Sequence, residues 1–328
     1  MRGLLRLVAA GTVLVLAAGC GADLSKSSTA RSTVPATSGL ATSTSTSSPS
    51  PVDAFDPDNL RGINPCGLMD NAALKPLGEP AESRLRDFSQ CSNYMKDKDG
   101  EELNLTLSIG EPTIGQPEPD AEIEGLPFVK SELDDKTACF LTAITETNPN
   151  RGITVQAGRR DKGDLCTPGR ALLESALAKI RDDAPRLDLA DNTLVAVDPC
   201  GQLADSVITA AVGPDTRKRP SGAHVCSWNG GGMSLMLTFR IGPRPEAIAD
   251  AAKSVPINLG GVTGQQRAEA DGGRCRLEWA HADYPGDKER AEVVAIDLSR
   301  YSGSGAGEDL CAKAQAVAKA LIPKLPKR

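Results

Sequence analysis

Eight of the nine cysteines in this 328-residue chain fall into two parallel ladders of four. Cys66, Cys91, Cys139 and Cys166 are separated by 25, 48 and 27 residues, and Cys200, Cys226, Cys275 and Cys311 by 26, 49 and 36. The first rung of each ladder sits in the same local sequence, Ile63-Asn64-Pro65-Cys66-Gly67-Leu68-Met69 and Val197-Asp198-Pro199-Cys200-Gly201-Gln202-Leu203. Each reads as a helix start, with Asn or Asp at the N-cap and Pro at the first helical position. The chain therefore reads as two copies of one four-cysteine domain, residues 60–186 and 187–328.

Widely spaced cysteines in even number point to disulfides in an exported chain. A metal site wants close pairs such as Cys-x-x-Cys, and the nearest cysteines here are 25 apart. Four cysteines allow three pairings, and spacing does not choose among them. Duplication asks that the pairing be the same in both halves and stay inside each. The favoured arrangement joins first to second and third to fourth: Cys66 with Cys91, Cys139 with Cys166, Cys200 with Cys226, and Cys275 with Cys311. Such bridges would compensate for cores with only ten aromatic residues to draw on.

Residues 1–19 have the layout of a secretory signal: Arg2 and Arg6, an apolar run from Leu4 to Ala18, then small residues. The run is too short to cross a ~30 Å hydrocarbon core as a helix. Ala17-Ala18-Gly19-Cys20 resembles the lipobox of bacterial lipoproteins, in which the Cys is diacylated and becomes the new N-terminus. Ala17 stands where Leu is usual. The resemblance implies that Cys20 is the ninth cysteine's explanation, an acylated anchor on the extracytoplasmic face of the cell membrane. Residues 20–59 then form a tether. It is dominated by Ser and Thr, as in Thr42-Ser43-Thr44-Ser45-Thr46, and offers too little apolar surface to offset the entropy of ordering.

Both halves repeat one order of elements. In the first, a helix from Pro65 is expected to run to Pro76, with a short strand around Cys91. Leu103, Leu105, Leu107 and Ile109 alternate with polar residues, the mark of a strand with one dry face and one wet face. A Pro-rich acidic stretch (Glu111 to Glu124) follows, then strands at Thr137–Thr147 and Gly152–Ala157 about a turn at Asn148-Pro149-Asn150. A long helix after Asp164 or Thr167 closes the half. In the second, a helix is expected from Pro199 to Gly213, strands at Ala223–Trp228 and Ser234–Ile241, a helix at Pro245–Lys253, and strands at Arg274–Ala280 and Ala291–Ser299. A helix beginning at Asp309 closes it. The fold class is α+β: two tandem similar domains, each an antiparallel sheet covered by helices and stapled by disulfides.

Asp198-Pro199-Cys200-Gly201-Gln202-Leu203, the later Cys226-Ser227-Trp228 and the Cys311 helix resemble a family of actinobacterial lipoproteins known as a domain of unknown function, number thirty-five fifty-eight. Asn64 replaces the Asp in the first half, and Asn93 stands where the Trp would be. The resemblance implies an envelope lipoprotein and brings no catalytic residues with it.

No catalytic constellation is legible. His224 and His281 each sit near a cysteine-bearing strand, where a lone His is more often structural than catalytic. There is no Gly-x-Ser-x-Gly elbow. Asp97-Lys98-Asp99-Gly100-Glu101 has its Gly too early for a calcium loop and reads as a hairpin turn. Gly303-Ser304-Gly305-Ala306-Gly307 lacks the spacing of a phosphate loop, and its counterpart Gly158–Gly163 is charged; both read as connections. The formal net charge of −6 becomes −8 once Arg2 and Arg6 are removed, which argues against nucleic acid as a partner. Arg217-Lys218-Arg219 and Lys324 to Arg328 read as solvated loop and tail. The expectation is a non-enzymatic binding or accessory protein of the cell envelope, without cofactor or metal, with a groove between the domains as its ligand site. A carrier or sensor of envelope lipids or glycans comes second, which would need an apolar cavity inside a domain lined by residues such as Leu235, Leu237 and Phe239, and a hydrolase last.

Overall fold

The computed structural model describes residues 53–113, 121–148, 150–250, 253–301 and 307–327. Cys20, the signal and the tether up to residue 52 lie outside them. So do parts of the Pro-rich stretch, of the Asn148 turn and of the Gly303 loop.

The first half opens with α1 (Pro57–Arg61), α2 (Pro65–Leu68) and α3 (Asn71–Leu74). The single helix expected from Pro65 to Pro76 is broken in two. Asp70 caps a fresh start, its carboxylate accepting from the Ala73 N–H at 2.9 Å, a local side-chain bond that competes with helix continuation. Strands follow: β1 (Gly78–Glu79), β2 (Arg84–Asp87), β3 (Gln90–Asp97), β4 (Glu102–Pro112), β5 (Glu122–Ile123), β6 (Leu126–Glu132), β7 (Ala138–Glu146) and β8 (Arg151–Gly158). They form one antiparallel sheet in the order β1-β3-β4-β8-β7-β6-β5, with β2 also on β3. The β3–β4 turn is the expected hairpin, Asp97 accepting from the N–H groups of Asp99 and Glu101. Helix α4 (Cys166–Asp183) lays Leu172, Leu173, Ala176, Leu177 and Ile180 on the sheet.

The second half begins with one 3-10 turn at Pro199–Gly201 and then α5 (Asp205–Val212), again two pieces where one helix was expected. Next come β9 (Arg217–Gly222), β10 (Val225–Gly230), β11 (Met233–Pro243), α6 (Pro245–Ile248), β12 (Ser254–Asn258), β13 (Thr263–Ala268), β14 (Arg274–Asp283), β15 (Arg290–Arg300) and α7 (Leu310–Leu321). The helix expected over Pro245–Lys253 is four residues long. Arg217-Lys218-Arg219 belongs to edge strand β9 rather than to a loop; cationic side chains and Pro220 there discourage pairing with a further strand.

Read from its far edge, the second sheet runs β9-β10-β11-β15-β14-β13-β12. Matched through the cysteines, this is the order β2-β3-β4-β8-β7-β6-β5 of the first, so the two sheets share one topology. The disulfides join Cys66 to Cys91, Cys139 to Cys166, Cys200 to Cys226 and Cys275 to Cys311. In each half one bridge ties the Pro-Cys turn to the corresponding strand, β3 or β10, and the other ties the closing helix to the sheet. The cores differ in filling. Trp228 and Trp279 are buried in the second. Asn93 replaces the former in the first, fully buried and tied to the 81–83 segment by bonds to the Ala81 carbonyl (2.8 Å) and the Ser83 hydroxyl (2.9 Å). Among the described residues no helix is long and apolar enough to cross a membrane.

Candidate functional site

The hairpin tips at Phe88-Ser89 (β2–β3) and Ala223-His224 (β9–β10) stand at equal steps before Cys91 and Cys226, and they meet at the joint between the sheets. Phe88, from the first half, is fully buried in the core of the second, its ring centre 4.9 Å from that of His224. Opposite it, Ala223 presses on Gly110, whose φ of +71° and lack of a side chain allow the approach; a Cβ there would come within 2.9 Å of the Ala223 Cβ. Arg61 donates to the Ala223 carbonyl at 3.1 Å and Arg151 to the Gly222 carbonyl at 3.0 Å, both bonds buried. Asp87 accepts from the N–H of its neighbour Phe88 (2.7 Å) and of Ile241 across the joint (2.9 Å). Side chains of the first half thus satisfy backbone groups of the second, and the two sheets pack against each other through this joint.

The link between the halves is fastened to the second sheet by three buried side chains. His224 Nε2 lies 2.9 Å from the Val195 carbonyl, and His281 Nε2 lies 3.1 Å from the Asn192 carbonyl. The Glu292 carboxylate accepts from the Leu194 N–H and the Thr193 hydroxyl, both at 2.6 Å. Both histidines are therefore structural clamps. Burial drives the His224 pKa down from 6.5 to about 4, with the Arg61 cation adding to the effect and the Val195 bond opposing it. Burial likewise pushes the carboxyl of Glu292 above its ordinary range. Asp87 and Glu111, near the joint, are raised by the same cause, Glu111 also by the charge of Asp87.

Beside the joint, β2 and β11 form the walls of an open groove of about 660 Å³. Arg84, Arg86 and Glu82 line it from the first half, and Arg240, Arg290 and Tyr284 from the second. Arg86 donates to the Tyr94 hydroxyl at 2.8 Å and lies over that ring. Arg290 lies 4.9 Å over the Tyr284 ring and donates to the Arg86 carbonyl. Arg240 and Arg276 both donate to Glu278 at 2.8 Å. Burial alone would raise Glu278, but those two guanidiniums hold it below the ordinary carboxylate range.

A second concavity, about 350 Å³, lies on the wet face of the first sheet. Register sets two rows across it: Ser92, Thr106, Gln156, Phe140 and Ser131, then Gln90, Ser108, Thr154, Thr142 and Val129. None of these ten side chains is charged, although Glu111 also lines the concavity, and neighbours pair with one another, Thr142 with Thr154 at 2.9 Å and Gln90 with Ser108 at 3.1 Å. The eight bridged cysteines lie apart from both concavities, and Leu235, Leu237 and Phe239 are packed inside the second core. Among the described residues no group of His, Cys, Asp and Glu is placed to hold a metal ion. Sequence reasoning named a groove between domains without its residues. The alternation of Arg84 and Arg86 with Leu85 and Asp87 was the available signal for β2, and it was masked because a four-residue strand with one apolar residue shows no period.

Residues 182–324 match the family described as protein of unknown function (DUF3558), so the resemblance read from Asp198-Pro199-Cys200 and Cys226-Ser227-Trp228 holds for the second half. No curated protein and no solved structure matches the chain.

Proposed function

We propose that this protein is a lipid-anchored, extracytoplasmic binding protein of the cell envelope, non-enzymatic, and that its ligand seats in the groove between β2 and β11. The observation that carries the reading is the composition of that groove. It takes side chains from both halves, and the interlocked hairpin tips fix those halves relative to one another. Preorganised walls at a domain joint are a common ligand site. In the same reading the first half is a diverged copy of the family domain matched by the second, acylation at Cys20 attaches the chain to the membrane, and residues 21–52 space the body from it, the body itself taking in Phe55 and α1.

Mass spectrometry of the native protein extracted from membranes tests the binding role: a small molecule or a protein subunit should travel with it. Recovery of the bare chain under several mild extractions would count against the reading. Replacing Cys20 by Ser should abolish incorporation of labelled fatty acid; persistent labelling would place the anchor elsewhere.

A second reading, a sensor of envelope glycans, is favoured by the wet face of the first sheet. Hydroxyl and amide groups in two rows with one aromatic ring suit a neutral polyhydroxy ligand. The lipid-carrier variant finds no such support, because Leu235, Leu237 and Phe239 fill core rather than line a cavity.

A further inference from the structure

The geometry points to an anionic group, a phosphate or a carboxylate, as the part of the ligand held in the β2–β11 groove; this rests on the groove being the binding site. The chain as a whole is acidic, at −6. The groove and the side chains bonded to it reverse that sign: guanidiniums of Arg84, Arg86, Arg240, Arg276 and Arg290 stand against carboxylates of Glu82, Asp87 and Glu278. Asp87 already accepts two backbone N–H groups. Glu278 is shared between two guanidiniums, so that triad keeps a positive charge.

The arginines are also held in place. Arg86 and Arg290 lie over tyrosine rings, and Arg290 is further bonded to the Arg86 backbone. Arg240 lies across Gly242, where its guanidinium occupies the space a side chain would need. Arg84 is exposed and has no bonded partner among the described residues. A planar fork already fixed by stacking loses little freedom when it grips an oxyanion, which is why arginine suits phosphate and carboxylate. Lys is absent from the lining, so the site is built for directional bonds as well as for charge.

The test uses the full chain with Cys20→Ser, in which no acyl group competes for vesicles. Inorganic phosphate is titrated at constant ionic strength while amide NMR shifts are followed, and binding to phosphatidylglycerol vesicles is compared with phosphatidylcholine vesicles. Phosphate should move the amides of Arg84–Asp87, Ile241 and Gly242, and R84Q/R86Q should weaken that response at least tenfold with the melting temperature retained. Should that pair of changes disturb folding, Arg84→Gln alone, which removes no bond, should still weaken it several-fold. Preference for phosphatidylglycerol, competed by phosphate, would assign a lipid headgroup; a phosphate response without vesicle preference would assign a soluble anion. No response in either arm, or one unchanged in the variants, overturns the inference. An uncharged molecule found in the groove by native mass spectrometry would overturn it too, while leaving the binding role intact.

Discussion

Arg61 and Asp198 face each other across the joint at 3.6 Å, and each also holds a turn of backbone. Arg61 donates to the Ala223 carbonyl, and Asp198 caps the Pro199–Gly201 turn by accepting from the Cys200 N–H at 3.0 Å. Asn64 makes the equivalent cap in the first half. The aspartate of the Asp-Pro-Cys motif therefore does what an asparagine can do for the turn, and its charge is used across the joint.

Three substitutions separate these roles. Asp198→Asn should keep the cap and cost under ~1 kcal/mol, because Asp198 is nearly half exposed and the pair is solvent-screened. Asp198→Ala should cost ~1–2 kcal/mol, the worth of a cap. Arg61→Met should cost the most, ~2–3 kcal/mol, since it leaves a buried carbonyl without its donor. Urea unfolding of the three variants checks the order; an Asp198→Asn loss as large as that of Arg61→Met would contradict it.

Phe88→Ala should cost ~3–4 kcal/mol, as for a buried aromatic ring, and the loss should appear in the second domain although the residue belongs to the first. Hydrogen exchange resolved by peptide should show β10 and β11 loosened. The same contact means that the second half does not complete its core from its own residues. Chain 187–328 made alone lacks Phe88, and chain 60–186 lacks the carbonyls that receive Arg61 and Arg151. Each should keep its bridges, melt below the intact chain, and regain stability when the two are mixed. Calorimetry of the halves singly and together decides this.

The cysteine ladders and the alternation in β4 and β11 were legible because burial and covalent constraint act on single residues at fixed spacing. The closing helices were legible for the same reason, with Asp309 capping α7 at the Ala312 N–H. The last two strands at one end of each sheet, β5 and β6, β12 and β13, were not, since strands such as Ser254–Asn258 are mostly exposed and carry no dry face. The broken helices at Asp70 and Ala204 escaped because the apolar pattern runs on through a cap. The groove was hidden most deeply: Arg86 and Arg290 are 204 residues apart and meet only because the Phe88 tip enters the second core while the Ala223 tip packs on Gly110.

Removing the Cys275–Cys311 bridge by a double Ser substitution should cost ~3–4 kcal/mol in the chain-entropy estimate for its 36-residue separation. Denaturant unfolding under oxidising conditions, with free-thiol counts to confirm the remaining pairs, measures it. A cost below ~1 kcal/mol would mean that α7 is held on the second sheet by packing of Leu310, Val317 and Leu321 alone.

The buried groups of the joint and link set opposing responses to acid. His224, at about 4 in the folded chain against 6.5 when exposed, leaves the folded form binding fewer protons than the unfolded form between those values. The stability it contributes is complete above pH 6.5 and is lost as pH falls toward 4, by ~3 kcal/mol. Asp87, Glu111 and Glu292 are raised, chiefly by burial, so their contribution has the other sign: present below the ordinary carboxylate range and lost as pH rises through their folded values. In the parent chain the two effects overlap and flatten the acid limb. His224→Gln keeps a donor for the Val195 carbonyl and removes the titration. The stability of the parent relative to the variant should therefore fall by ~3 kcal/mol between pH 7 and pH 4, while the carboxylate contribution cancels. Unfolding curves at half-unit pH steps measure it, and a difference independent of pH would show that His224 does not bear the acid response.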